Sequence, residues 1–285
     1  MFCIRFVDYC FLWTGFATTS IDDKRIHKEI FGLEPTPTSR IHQILAQTVE
    51  NLMDSSGGGG KTDPCILTGQ AFNEKVWIEK SEEAENDLEA ILFWLFKAFI
   101  ALYLGEYDKC SEFMTNVFKQ NLNICSSVMF QQINFIAALV DVLVAREEKT
   151  TTTTKIRWKR IKSKRKFGSA MVQLQTYGKL GPVNIMNKIY LIEAEKAVLK
   201  DDRAVAKAKF RMSIDHANQQ EFVHEEALAY ERYAIAMLEW GEVSQALEYF
   251  ERARSLYDKW GSMAKVKRLE EFVREKCGVS NTTWK

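Results

Sequence analysis

The chain is poor in the residues that interrupt regular structure. Its 285 residues include only four prolines and 14 glycines, and both residue types disfavour the interior of a helix. The share of hydrophobic residues, 46%, is ordinary for a globular protein, and a chain of this length buries a sizeable core. Long uninterrupted helices fit this composition best, so the predicted fold class is all-α.

Neither charge nor cysteine spacing indicates a particular ligand. The chain has 39 lysine and arginine residues and 38 aspartate and glutamate residues, so its net charge is +1. A charge this small does not attract nucleic acid or an anionic membrane to the protein as a whole. The six cysteines contain no CxxC pair, and the four histidines show no metal-ligand spacing. We therefore predict a cytoplasmic location, no metal and no other cofactor.

Minimal catalytic motifs are missing as well, since no GxSxG, HRD, DFG, GxGxxG or HExxH occurs. The chain is therefore predicted not to be an enzyme. One segment, Gly57–Thr62, resembles the end of a phosphate-binding loop. A true loop of this type requires glycine where Ser55 stands and a helix where Asp63-Pro64 follow. A linker is the favoured interpretation, and a nucleotide-binding protein is the alternative.

Long hydrophobic runs are also few. Arg5 and Asp8 interrupt the apolar start before it reaches the length of a signal peptide. The run Ile91–Leu104 carries Lys97 at its centre and is short for a membrane span. It is predicted to be a buried helix.

Apolar periodicity places helices along most of the chain. A helix is predicted over 39–53, a helical hairpin over 84–120 with its turn at Leu104–Tyr107, and a further helix over Val128–Ala145. The chain is predicted to have four divisions. Residues 1–83 form an N-terminal helical segment with a flexible glycine-rich loop at about 54–64, and residues 84–146 form the first hairpin block. Residues 147–183 form a polar and basic insertion with a connecting helix, and residues 184–285 form two repeats with a C-terminal capping helix.

The insertion contains the basic segment Lys155–Lys166, which carries eight positive charges in twelve residues. It is compatible with a nuclear-localisation or nucleic-acid patch, in which Trp158 would stack on a base, and with an acidic membrane or partner. The solvated face of a helix is the favoured interpretation. A nuclear location is thus the alternative to the cytoplasm, while neither a membrane nor nucleic acid is the predicted partner.

An internal repeat appears when the sequence is shifted by 40 residues. Aromatic and small residues then coincide at Tyr190 and Tyr230, Ala194 and Ala234, Ala206 and Ala246, and Phe210 and Phe250; Trp94 and Ala98 fit the same register, and Ala253 follows one turn after Phe250. Small residues let paired helices approach closely, and large rings fill the gaps toward the next pair. The spacing predicts a tetratricopeptide-like α-solenoid of stacked helical hairpins, with Gly241 and Gly261 ending helices in the left-handed conformation.

Helical geometry then suggests which residues face outward. The exposed side of the first helices would present Lys188, Glu195, Glu231 and Ile235 to a partner protein. Four further polar residues are also expected at the surface, near the ends of predicted helices: His216, His224, Glu225 and Glu226.

Part of the chain resembles a known family. The segment Val183–Glu271, through Tyr190–Glu195, Glu225–Glu231 and Trp260–Val266, is similar to the helical region that follows the AAA-type ATPase module in large multidomain serine/threonine-kinase and histidine-kinase signalling proteins. The resemblance implies a non-catalytic interaction or signal-relay module whose partner is a signalling ATPase or kinase. A degenerate fragment of such a kinase is the alternative.

Overall fold

The structure, a computed structural model, describes residues 38–53, 63–81, 87–150 and 169–278. Within these ranges the chain is helical apart from short connections, and β-structure is confined to one bridge between Thr68 and Asn73. The predicted all-α class is confirmed. A continuous apolar core extends from Ile44 near the start of this part of the chain to Val273 near its end, so the described segments share one core.

The helices are numbered here along the chain. They are α1 (Thr38–Met53), α2 (Glu74–Ser81), α3 (Asp87–Tyr103), α4 (Tyr107–Val117), α5 (Ser127–Thr150), α6 (169–180), α7 (Met186–Leu199), α8 (Arg203–Gln219), α9 (Val223–Glu239), α10 (Val243–Trp260) and α11 (Met263–Cys277). Short 3-10 turns at Leu122–Ile124 and Pro182–Asn184 precede α5 and α7.

The first helices agree with the predicted boundaries. Helix α1 spans 38–53, and the hairpin of α3 and α4 turns at 104–106, as the periodicity indicated. Helix α3 is buried along most of its length, including Lys97. This lysine pairs with Glu74 of α2 and lies 4.9 Å from the ring centroid of Phe113. Opposite charge and aromatic faces therefore compensate its burial.

Helix α5 is longer than predicted, because contacts with α7 hold its last turns. Arg146, the first residue after the predicted end of this helix at Ala145, pairs with the buried Glu195. Lys149 donates a hydrogen bond from Nζ to the carbonyl of Leu199 at 3.2 Å. These partners lie about 50 positions away in the chain, so local periodicity does not show them.

The part of α5 from Ser127 to Lys149 is long and apolar enough to cross a membrane, with a mean hydropathy of 1.8 over its most apolar window. However, 67% of that window is buried inside the protein, where the helix packs against α3, α4 and α7. Packing in the core accounts for the apolar composition of this helix.

Left-handed turn residues recur every 20 positions in the second half of the chain. Asp201, Glu221, Gly241 and Gly261 have φ angles of 62°, 58°, 82° and 87°. The prediction for the two glycines is confirmed. The residue after each one donates its backbone N–H to a carbonyl five positions earlier: Asp202 to Ala197, Phe222 to Ala217, Glu242 to Met237, and Ser262 to Tyr257.

This hydrogen bond is that of a Schellman cap, which ends a helix with a left-handed residue. A helix of 17 residues, such as α8 or α9, and its three-residue turn together occupy 20 positions. Two such units form a hairpin of 40. The spacing therefore exceeds the usual tetratricopeptide length of about 34 residues because the helices are longer.

The small residues of the repeat all lie in the interior of the protein. The alanines at the repeat positions have no exposed surface: Ala98, Ala194, Ala206, Ala234, Ala246 and Ala253. Between hairpins the large rings make contact instead. Phe210 of α8 stacks on Tyr233 of α9 with centroids 4.9 Å apart and planes at 10°. Consecutive helices thus pack as the repeat pattern indicated.

The two ends of the described chain also meet. Phe99 and Tyr103 of α3 lie with their ring centroids 6.1 Å and 5.2 Å from that of Trp260, at the end of α10. The Ser262 hydroxyl donates to the carbonyl of Leu52 at 3.3 Å, and α11 packs against α1. Helices α1 and α3 therefore pack against the end of α10 and against α11.

A charged cavity as candidate functional site

A cavity of about 370 Å³ lies between the α3–α4 turn and helices α5, α9 and α11. Its walls carry the apolar residues Leu104, Leu143, Ile235, Leu269 and Phe272. The charged residues of its lining are four cations, Arg146, Arg232, Lys265 and Arg268, and five glutamates, Glu147, Glu231, Glu239, Glu271 and Glu275. Acidic groups thus outnumber basic ones by one in a space that is partly screened from water.

The floor contains two arginines that share one carboxylate. Glu195 accepts a hydrogen bond from Nη1 of Arg146, and it accepts another from Nε of Arg232 at 2.6 Å. Arg146 also donates to Glu239 at 2.6 Å, and Arg232 donates to the hydroxyl of Tyr107 at 2.7 Å. Helices α4, α5, α7 and α9 therefore meet at this group of side chains.

Burial and neighbouring charges together set the ionisation of Glu195, Arg232 and Tyr107. Burial alone would raise the pKa of Glu195, but Arg146 and Arg232 lower it. Burial would lower the pKa of Arg232, whereas Glu195 raises it. Burial raises the pKa of Tyr107 to about 12, against the effect of Arg232. At neutral pH Glu195 is thus a carboxylate, Arg232 is charged, and Tyr107 is a neutral phenol.

A second buried pair joins α9 to α11. Lys265 donates from Nζ to Glu231 at 2.6 Å, and the hydroxyl of Tyr257 donates to the other oxygen of that carboxylate at 2.7 Å. Burial lowers the pKa of Lys265, and Glu231 acts in the opposite direction. Each buried cation on the floor therefore has a carboxylate partner within the protein.

The mouth of the cavity is more exposed. The side chain of Glu239 is 51% accessible, and Glu271 and Glu275 are exposed on α11. Glu271 and Glu275 are four residues apart and so lie on the same face of that helix. Among the described residues of the lining, the exposed cation is Arg268, which is paired with Glu106 at 3.3 Å.

A separate buried group lies at the start of α7 and α9. Glu225 accepts hydrogen bonds from Asn187 and from Nζ of Lys188, the latter at 2.8 Å. His224 stacks on Trp260 with centroids 5.2 Å apart, and its Nε2 is 3.8 Å from Glu225. Burial lowers the pKa of His224 to about 4, with Glu225 opposing and Lys188 adding to the shift.

Three of the four residues expected to face a partner are buried. Lys188, Glu195 and Glu231 are 4%, 0% and 7% exposed, so the prediction of an exposed surface is wrong for them. Each lies inside because a residue from another helix neutralises its charge: Glu225, the two floor arginines and Lys265, respectively. Ile235 is half-buried, and both it and Glu231 line the cavity.

Other residues expected at the surface are also inside the protein. His224 is 1% exposed, while Glu225 and Glu226 are 5% and 7% exposed; His216 is half-buried. Adjacent carboxylates on α9 were expected to face solvent, yet the first is held by Lys188 and the second accepts from Asn218 at 3.1 Å.

The repeat positions are distributed between core and half-buried sites. Phe210, Phe250 and all the repeat alanines are in the core, while Trp94, Tyr190 and Tyr230 are half-buried. The two segments that carried the alternative functions, Gly57–Thr62 and Lys155–Lys166, lie outside the described residues.

Sequence reasoning missed the residues that shape the cavity, above all Arg146, Arg232, Lys265 and Tyr107. A signal for one of them is present. Arg232 has Leu228 four positions before it and Ala236 four positions after it, both buried, so it occupies an apolar face of α9. A charge on an apolar helix face indicates a buried ion pair, but it does not identify the partner.

The lining combines apolar walls, ion pairs and an acidic mouth, which suits reversible binding of a complementary side chain. Among the described residues, no group of three or more His, Cys, Asp or Glu is arranged to hold a metal ion. Comparison with known proteins finds no matching family model, no matching curated protein and no matching solved structure.

Proposed function

We propose that this chain is a non-catalytic helical-repeat module that binds a segment of a partner protein in the charged cavity. The observation that carries this proposal is the cavity itself, with apolar walls beside ion pairs that α5, α9 and α11 supply. A concave site formed by neighbouring repeat hairpins is the usual binding surface of such arrays.

In this proposal the architecture is a tetratricopeptide-like solenoid, wound so that its first hairpin fills part of its own inner face. The contacts of Tyr103 with Trp260 and of Tyr107 with Arg232 support such an arrangement. They leave the cavity as the open remainder of the concave side. A short segment fits there better than a long helix.

The proposed partner is a cytoplasmic signalling ATPase or kinase. Its support is the resemblance of Val183–Glu271 to the helical region found beside such modules. The four described cysteines, which are Cys65, Cys110, Cys125 and Cys277, are free thiols, consistent with a reducing compartment.

A peptide-library selection against the purified full chain tests this function. We expect enriched peptides that bind the wild type and lose binding to Ile235→Trp, because the larger ring fills the cavity. Met212→Trp is the matched control, since Met212 is 40% exposed on α8 and outside the cavity lining. Failure to enrich any peptide, or equal binding to both variants, would contradict the proposal.

A further inference from the structure

The cations of the cavity are already neutralised, which decides the charge of a ligand. Arg146 and Arg232 share Glu195, Lys265 is held by Glu231, and Arg268 is held by Glu106. An anionic ligand at Arg146, Arg232 or Lys265 would have to displace Glu195 or Glu231 and leave that carboxylate buried without a partner, at a large cost. Anions are therefore disfavoured at the floor of this cavity.

The glutamates at the mouth are less completely compensated. Glu271 forms no ion pair with any described residue. Within the described part of the chain, Glu275 is paired with its neighbour Lys276 at 3.6 Å, and both side chains are well exposed. Two like charges one helical turn apart repel each other. A cation placed between them would relieve this repulsion as well as gain two attractive contacts.

The walls suit the rest of a long basic side chain. Ile235, Leu269 and Phe272 provide apolar surface in the lining that also contains Glu271 and Glu275. Lysine and arginine place their aliphatic stems on such surfaces while the charged group stays near water. The ring of Phe272 is half-buried and belongs to this lining.

We infer that the cavity binds a lysine or arginine side chain of the partner segment, with the cationic group held at the mouth by Glu271 and Glu275. This inference rests on the proposed function and names the chemistry of the partner. The aliphatic stem lies against Ile235, Leu269 and Phe272, and a neighbouring apolar residue of the segment occupies the remaining volume. The floor ion pairs keep the walls in place and do not contact the cation.

The experiment uses peptides from the selection above, synthesised with a fluorescent label and titrated with the full chain. We expect the selected peptides to contain lysine or arginine, and its replacement by norleucine to weaken binding about tenfold. Glu271→Gln combined with Glu275→Gln should weaken binding roughly three- to tenfold, as two exposed charge pairs would. The affinity should also fall between 50 and 300 mM salt.

Glu248→Gln is the matched control, because this exposed glutamate on α10 is not part of the lining and its loss should leave affinity unchanged. Selected peptides that lack basic residues, yet lose binding to the Ile235→Trp variant, would overturn this inference and leave the proposed function standing. Selected peptides that bind the wild type and the Ile235→Trp variant equally well would overturn both. Tighter binding after neutralisation of Lys155–Lys166 would make that basic segment the occupant, and the assignment to a partner protein would be wrong.

Discussion

At the scale of single residues, buried charge distinguishes this protein from a simple apolar repeat. Glu195 is fully buried on α7 and ionised only because two arginines from other helices surround it. Removal of one member of such a group leaves the others charged in an apolar interior, which costs more than the group contributes as a whole. These residues should therefore be sensitive even to substitutions that preserve their size.

The substitution Glu195→Gln should lower the free energy of unfolding by about 3–5 kcal/mol, because Arg146 and Arg232 lose their shared carboxylate. Glu193→Gln on the same helix is the control. Its carboxylate pairs with Lys209 at 2.7 Å, but both side chains are about 30% exposed, so the loss should stay below about 1 kcal/mol. Urea unfolding measures both, and equal losses would show that the Glu195 group is not a buried ion pair.

His224 should make stability depend on pH. Burial lowers its pKa from an ordinary value of 6.5 to about 4, so the unfolded chain takes up a proton at a pH where the folded chain does not. The contribution of His224 to the free energy of unfolding is therefore constant above pH 6.5. It falls as the pH drops from 6.5 toward 4, by about 1.4 kcal/mol per pH unit and roughly 3 kcal/mol in all.

The variant His224→Phe keeps a ring on Trp260 and removes the titration, so its urea midpoint should vary less between pH 6.5 and 4.5 than that of the wild type. His216, whose pKa burial also lowers, is present in both proteins and cancels in the difference. The same pH dependence in wild type and variant would exclude His224 as its cause.

At the scale of elements, a left-handed turn residue follows the end of each of the helices α7 to α10, at intervals of 20 positions. Two of the four turns have glycine, whereas Asp201 and Glu221 adopt the same conformation with a side chain. The left-handed region costs an ordinary residue roughly 1–2 kcal/mol, and aspartate less because of its short polar side chain. The turn at Glu221, between the two hairpins, is therefore the strained one.

Glu221→Gly should raise the free energy of unfolding by about 1 kcal/mol, because glycine adopts φ near 58° without a steric penalty. The reciprocal substitution Gly241→Ala should lower it by a similar amount. A Cβ atom at Gly241 meets nothing within 4 Å, so only backbone strain changes there. Thermal and urea unfolding of both variants check the signs, and two changes of the same sign would contradict the role of the turns.

At the scale of the whole molecule, contact between the first hairpin and the last helices ties the described part together. Trp260 is 1% exposed and contacts α3 through Phe99 and Tyr103. A linear array in which each hairpin touches only its neighbours unfolds in parts. Here we expect α3 and α10 to lose structure together.

Trp260→Ala should lower the free energy of unfolding by about 3–5 kcal/mol, as is usual for a large core ring. Amide hydrogen exchange should quicken in α3 as well as in α10. Trp240→Ala provides the comparison, since this half-buried ring lies near the surface cations Arg203 and Lys207 and should cost about 1 kcal/mol or less. Faster exchange in α10 alone would mean that the ends are not coupled.

Local patterns were enough to predict most of the helices and the burial of the small repeat residues. The 40-residue shift that aligns Ala194 with Ala234 identified positions that are fully buried, because the 3.6-residue period and residue size both act within one hairpin. The end of α5 was predicted too early, since Arg146 has its partner on α7. The cavity was not predicted, although Glu231 and Ile235 on its wall were named.

The sequence by itself determined the helical class, the repeat spacing and the left-handed glycines, because these depend on interactions between residues near each other in the chain. Only the tertiary structure decided which charges lie inside. Lys188, Glu195 and Glu231 have the residue types of a solvated face, and each is buried because a partner from a distant helix compensates the loss of water. Such pairing depends on the packing of α4, α5, α7, α9 and α11, which no local pattern encodes.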